Sequence, residues 1–148
     1  MKMCTKSRYG LRLLMDMARH YDQGPVQLGV IAKRQDISVK YLEQIIIPLK
    51  KADYITSLRG RKGGHVLNKP PGEISVGEIV ALLEKSTTLV DGSNHTDLGD
   101  SSPSCPVSRL WQEAIQAMFD KLHAVTLADL VQMLEILENQ RLDVLKES

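Results

Sequence analysis

The stretch from Ser38 to Leu67, SVKYLEQIIIPLKKADYITSLRGRKGGHVL, changes its hydrophobic period part-way along. Tyr41, Leu42, Ile45, Ile46 and Leu49 fall at helical spacing, which predicts a helix with these residues turned inward. Lys40, Glu43, Gln44, Lys50 and Lys51 then lie on its other side as a polar, donor-rich face, and Ser38 is a candidate N-cap. Pro48 lies inside the pattern, where it removes a backbone donor and is expected to kink the helix or move its end. After Asp53 the period becomes two: Tyr54-Ile55-Thr56-Ser57-Leu58 is β-branched and aromatic, and His65-Val66-Leu67 can return antiparallel to it. Arg59-Gly60-Arg61-Lys62-Gly63-Gly64 joins the two runs, giving the loop tip a charge of +3 on a backbone free to adopt positive φ.

Upstream, Leu28, Ile31 and Ala32 mark a short helix, and Gln35-Asp36-Ile37 makes the break before Ser38. The order is helix, tight turn, helix and cationic hairpin, which is a winged-helix arrangement. A further helix is expected over residues 5 to 21, with Thr5 as N-cap, Leu11, Leu14, Met17, Ala18 and Tyr21 on one face, and Gln23-Gly24-Pro25 ending it. Downstream, Ser75-Val76-Gly77-Glu78 reads as a capping box opening a helix on Val76, Ile79, Val80 and Leu83. Residues 86 to 106 lose periodicity and read as a loop, a length that is usually functional or disordered. Trp111, Ile115, Met118, Leu122 and Val125 then form a short heptad seam suited to a helix pair between subunits. Thr126-Leu127-Ala128-Asp129 can cap a last helix carrying Leu127, Leu130, Val131, Leu134 and Leu137 on one face, and the polar tail after Glu138 is expected to fray.

The chain has 148 residues, 43% hydrophobic and 25% charged, the balance of a soluble protein able to bury a core. Its densest apolar stretch, Ile45 to Leu49, is far shorter than the roughly 20 residues that span a bilayer. The N-terminus shows no secretory leader, which predicts a cytoplasmic setting, where Cys4 and Cys105 stay as thiols. A net charge of +1 conceals a split. Residues 1 to 70 hold fourteen Lys/Arg against five Asp/Glu, and residues 71 to 148 hold five against thirteen. A basic half followed by an acidic half suggests that only the first meets a polyanion such as nucleic acid; two solvated faces of opposite sign are the alternative. The four histidines, His20, His65, His95 and His123, show no triad or metal-site spacing, and the Gly-rich loop lacks the spacing of a nucleotide-binding loop, so an enzyme is not expected.

On this reading the N-terminal part of the helix from Ser38 enters a major groove. Gln44 can pair bidentately with adenine, Lys40 can donate to guanine or phosphate, Glu43 can accept from cytosine N4, and Ser38 can contact a phosphate or a base. Arg59 is placed for a minor groove, with Arg61 and Lys62 on the flanking phosphates. Cys105, in Pro103-Ser104-Cys105-Pro106 just before a helix, is a candidate for a lowered thiol pKa and hence for iron ligation or oxidant sensing.

Several elements occur together: Tyr9-Gly10-Leu11-Arg12, Ile31-Ala32, Ile37-Ser38, Tyr41-Leu42-Glu43-Gln44, Ser57-Leu58-Arg59-Gly60, Gly63-Gly64, Leu110-Trp111 and Thr126-Leu127-Ala128-Asp129-Leu130. Over about residues 1 to 135 the chain resembles the IscR, NsrR and CymR family of bacterial winged-helix regulators. The resemblance implies a homodimer crossing through long helices, each subunit reading half of a palindrome, with Ser38, Lys40, Glu43 and Gln44 at the major groove and Arg59 with Gly60 at the minor groove. Iron–sulfur members place three cysteines in the loop, and here only Cys105 matches; Ser93 and Gly99 lie near the other two places, and Ser108 stands where one branch has a ligating histidine. Arg8 occupies a position that is acidic in members ligating the cluster from the opposite subunit. Two subunits with one loop cysteine each do not supply four thiolates, which leaves a mixed set from Cys105, His95, Asp97 or Cys4. Asp36 replaces a usual turn glycine, and Arg61, Lys62 and His65 make the wing more basic than the family pattern.

The expected protein is mainly α with a small β-hairpin: a winged helix-turn-helix over 1–70, a connecting helix over 71–85, a sensor-type loop over 86–106, dimerisation helices over 107–138 and a polar tail over 139–148. Its expected role is a homodimeric transcription repressor on double-stranded DNA, binding through Ser38, Lys40, Tyr41, Glu43, Gln44, Arg59, Gly60, Arg61 and Lys62. Cys105 is the candidate metal or thiol sensor, and an iron–sulfur cluster would have an incomplete ligand set. The alternatives are a winged-helix module that binds a partner protein, and a cluster-free regulator controlled by a partner metabolic enzyme.

Overall fold

The computed structural model describes residues 4–91 and 105–147. Helix α1 (Thr5–Arg19) is followed by a 3₁₀ turn at Tyr21–Gln23, α2 (Leu28–Gln35) and α3 (Val39–Lys51). Strands β1 (Ile55–Leu58) and β2 (Gly64–Leu67) pair antiparallel with Ile55 opposite Leu67 and Leu58 opposite Gly64. Helices α4 (Val76–Asp91), α5 (Pro106–His123) and α6 (Leu127–Lys146) complete the described chain. No helix among the described residues is long and apolar enough to cross a membrane.

The core forms where the apolar stripes of the winged helix meet those of α4 and α6. Leu13 and Leu14 of α1, Ile31 of α2, Leu42, Ile45 and Leu49 of α3, Ile55 of β1, Ile79 and Leu83 of α4 and Leu127 of α6 join one buried cluster. Helix α1 lies at its centre, packed against α4, α6, α3 and α2. It approaches α4 at Gly10, where a Cβ would collide with Leu83 Cδ1. Pro48 is accommodated inside α3, which continues to Lys51.

Several element ends differ from the sequence expectation. Cys4, not Thr5, is the N-cap of α1: it holds the extended backbone (φ −66°, ψ 154°), and its sulfur accepts the Ser7 N–H at 3.4 Å. The helix stops at Arg19, and Tyr21 falls in the 3₁₀ turn. Helix α4 runs on to Asp91, six residues into the stretch read as loop, because extending a nucleated helix adds one hydrogen bond per residue fixed. Residues 92–104 of that stretch, which include Ser93, His95, Asp97 and Gly99, lie outside the described residues, and its last residue, Pro106, already opens α5. Helix α6 likewise continues to Lys146 where fraying was expected, since residues 139–146 contain neither Gly nor Pro to break it. The Thr126 capping box is present: Thr126 Oγ1 accepts from Asp129 N–H (3.2 Å), and Asp129 accepts from Thr126 N–H (2.9 Å). Ser75 and Glu78, also read as a capping box, have other bonds: Ser75 Oγ donates to the His123 carbonyl (3.2 Å), and Glu78 accepts from the Tyr54 hydroxyl (2.9 Å).

The start of α4 is locked to the α5–α6 corner through Val76 N–H to Val125 O (2.9 Å) and Leu127 N–H to Ile74 O (3.0 Å). Gly77 makes that contact sterically feasible, for a Cβ there would stand 2.7 Å from the His123 backbone nitrogen and closer still to its ring. Because backbone cannot swing aside as a side chain does, Gly77→Ala is expected to lower the unfolding free energy by about 1–3 kcal/mol in urea denaturation, as overpacking does.

Candidate nucleic-acid interface

The turn between α2 and α3 is made by Asp36 in the left-handed region (φ 54°), a conformation that Asp tolerates where a glycine is more usual. Ser38 caps α3, its Oγ accepting the Tyr41 N–H at 3.2 Å. Lys40, Glu43 and Gln44 are exposed, and with the half-exposed Ile47 they form one outward face of the helix. Tyr41 differs from these neighbours. It is half-buried, its ring meets Tyr9 edge-on (centroids 5.7 Å apart, planes at 87°), and burial raises its phenol pKa. Packing therefore accounts for much of this side chain, as its inward place in the helical pattern predicts.

The strand register leaves residues 59–63 as the wing tip. Gly60 has φ +111° and its carbonyl accepts the Gly63 N–H at 3.0 Å; a Cβ on Gly63 would run into the Leu58 carbonyl oxygen. The glycines thus close a tight loop from which Arg59, Arg61 and Lys62 project as exposed cations. Among the described residues none of the three forms an ion pair. An open groove of about 460 Å³ separates the tip from the link between α1 and α2. The base of the wing is fixed by two bonds between His65 and Val26, N–H to O at 2.8 Å and O to N–H at 3.0 Å. His65 Nδ1 lies 3.0 Å from Ser57 Oγ, and burial, with the nearby Lys50, lowers the pKa of the ring. At neutral pH it is uncharged, so the wing's positive charge comes from Arg59, Arg61 and Lys62 without the contribution expected of His65.

The heptad seam divides in this chain. Ile115, Leu122 and Val125 are half-buried, whereas Trp111 and Met118 are exposed. Helix α5 has no buried residue along its length. On α6 the expected inward stripe holds as far as Leu134, but Leu137 is exposed beside Met133 and Ile136.

Some functional connections were missed from sequence. Glu84, which no sequence motif singles out, accepts from Cys4 N–H and from the buried Ser7 Oγ, both at 2.8 Å, and so holds the head of α1 to α4. Asp16 is buried in the middle of the apolar stripe of α1, and Arg34 and Gln35 of α2 donate to its two oxygens. A carboxylate between Leu13, Leu14, Met17 and Ala18 was the available signal.

The Rrf2 family, described as iron-dependent transcriptional regulators, matches residues 3–133. Protein rrf2 of Nitratidesulfovibrio vulgaris is 44% identical over 131 residues, which is 88% of this chain and 87% of that protein. The HTH-type transcriptional regulator IscR of Klebsiella pneumoniae is 35% identical, spanning 93% of this chain and 84% of its own. Among solved structures, CymR, the global cysteine regulator of B. subtilis, superposes with a TM-score of 0.74 at 34% identity, covering 90% of this chain and 98% of its own. IscR of T. potens gives 0.72 at 34%, with coverages of 89% and 87%. These relatives are regulators, not enzymes.

The sequence holds two cysteines, and among the described residues no three His, Cys, Asp or Glu side chains converge. The Cys4 sulfur is engaged at the head of α1, 3.3 Å from Ser7 Oγ. Cys105 is the N-cap of α5. Its thiol is held below the ordinary range, first by the backbone N–H of Ser108, then by that of Val107 and by the Ser108 side chain. Since the thiolate is the nucleophile, alkylation of Cys105 by iodoacetamide is expected to reach half its limiting rate at a lower pH than that of an unperturbed cysteine. Peptide-resolved mass spectrometry across pH measures this, with Cys105→Ser identifying the fast site; an unshifted profile would contradict the assignment.

Proposed function

The chain belongs to the Rrf2 family of transcriptional regulators, and from that premise we propose that it acts in the cytoplasm as a homodimeric repressor reading a palindromic operator. Each subunit lays α3 in a major groove, with Ser38, Lys40, Glu43 and Gln44 toward base edges and phosphates and Tyr41 supporting them. Arg59 and Gly60 follow the minor groove, and Arg61 and Lys62 take the flanking phosphates. The signal enters through the segment joining α4 to α5, with Cys105 at its end as a thiol sensor.

The observation that carries the dimer is α5 itself: eighteen residues of helix without one buried side chain. Most helices in proteins draw their stability from packing an apolar face. Val107, Leu110, Trp111 and Met118 on α5, with Met133, Ile136 and Leu137 on α6, offer such a face to a second copy. The DNA reading is supported by three exposed cations on the wing beside a donor-rich helix face. Two copies also suit a palindrome, because a two-fold axis presents two identical reading heads.

If each subunit neutralises about four phosphates, log K for a duplex should fall against log salt with a slope near −7 for the dimer, and about half that for a lone subunit. Fluorescence anisotropy over a salt series reads this directly, and a flat response would refute DNA binding. On a duplex selected by the protein from random sequence, Gln44→Ala is expected to cost about 1–3 kcal/mol at one base-pair position. Equal losses on random DNA would remove its base-reading role.

A further inference from the structure

The buried charge in α1 leads by continuous contacts to the recognition helix. Asp16 has a side chain 4% exposed, and its Oδ1 accepts from Arg34 Nη2 at 2.6 Å while its Oδ2 accepts from Gln35 Nε2 at 3.0 Å. His20 Nδ1 lies 3.7 Å from Oδ1 and 2.8 Å from the Asp16 carbonyl. Gln35 is bonded on its other side as well: Arg12 donates through Nε to Gln35 Oε1 (3.2 Å) and through Nη2 to the Gln35 carbonyl (2.8 Å). The Arg12 guanidinium stands 5.5 Å from the centre of the Tyr9 ring, and Tyr9 meets Tyr41 edge-on. Tyr41 lies in the first turn of α3, its N–H on Ser38 Oγ.

Gln35 is the last residue of α2, and only Asp36 and Ile37 separate it from the cap of α3. The contacts therefore grip the helix-turn-helix at its corner, on both sides of Gln35, and again at the ring of Tyr41. A helix that must place Gln44 within hydrogen-bonding range of a base edge tolerates little rotation, whereas phosphate contacts by flexible lysines and arginines tolerate far more. We propose that Asp16, Gln35 and Arg12 are positioning residues for base reading, setting the angle of α3 through Tyr9 and Tyr41 without touching DNA. This rests on the reading of α3 as the base-reading helix. The network acts on sequence discrimination and leaves electrostatic affinity for DNA in place, because Lys40, Arg59, Arg61 and Lys62 lie outside it.

The test starts with the full-length protein and a random-sequence duplex library. Wild type should enrich a defined sequence; failure to enrich any would overturn the base-reading function itself, and this inference with it. Binding is then measured on the enriched duplex and on a random duplex for Gln35→Met, which removes both side-chain bonds at a half-buried position, and for Asp16→Asn. Lys33→Ala, on the exposed side of α2, serves as control, and thermal denaturation checks that each variant folds. Gln35→Met is expected to lose about tenfold on the enriched duplex, within the range of one bidentate base contact, and less than about twofold on random DNA, which is held through phosphates. In a Gln44→Ala background most of the tenfold loss should disappear, as it does for residues acting through one contact. Undiminished discrimination in Gln35→Met would overturn the proposal. So would equal losses on both duplexes, or a full additional loss beside Gln44→Ala, since a merely structural role gives those results.

Discussion

Helix α1 must pack against α2, α3, α4 and α6 while burying the carboxyl group of Asp16 against the end of α2. A carboxylate taken out of water costs several kcal/mol unless its oxygens are matched. Asp16 is matched on both oxygens, and both donors come from the end of α2. That requirement fixes where the helix-turn-helix corner can sit, because leaving the corner free would leave the charge unpaired. The hydrophobic driving force on Leu13, Leu14, Ile31 and Ile45 is itself non-directional, whereas hydrogen bonds weaken steeply with angle. The corner between α2 and α3 is thus held by polar contacts beside a mostly apolar core, the basis of the positioning role proposed for them.

The division of charge along the chain has a related consequence. Acidic residues of the C-terminal half reach back to the basic half at three places. Glu84 accepts from the head of α1, Glu78 from Tyr54, and Glu138 forms a bidentate pair with Arg19 at 3.0 and 2.7 Å. The Arg19 pair is exposed on both sides and adds little stability by itself. Its value is geometric, tying α6 to the end of α1. These contacts leave Lys40 and the three wing cations exposed, so the acidic half steadies the basic half without neutralising the surface proposed to meet DNA. Glu84 also links α1 to α4, the helix that leads toward the segment proposed to receive the signal.

Both cysteines stand at helix N-termini, yet their surroundings differ. Cys4 is enclosed by Ser7 and the contact with α4, and its sulfur completes the cap of α1. Cys105 faces the N–H groups at the head of α5, which favour its thiolate. One thiol thus stands beside the segment joining α4 to α5, held below its ordinary range, while the other completes a helix cap.

Much of the fold was legible in the sequence because its signals are local. The change of period after Asp53, the Ser38 and Thr126 caps and the Gly-rich cationic loop each follow from a few neighbouring side chains. The outward residues of the recognition helix and the wing cations were legible for the same reason. Helix ends were less so, since whether residues 86–91 or 139–146 remain helical depends on propagation from an established helix, not on their own polar composition. Tertiary structure alone decided the partners of Asp16, Glu84 and Glu138 and the lowered pKa of His65, because burial and ion pairing join residues up to 119 positions apart. Local pattern determines which elements form and which faces they expose. How they meet depends on contacts between residues far apart in the chain, apolar and polar alike, which have no signature in sequence spacing.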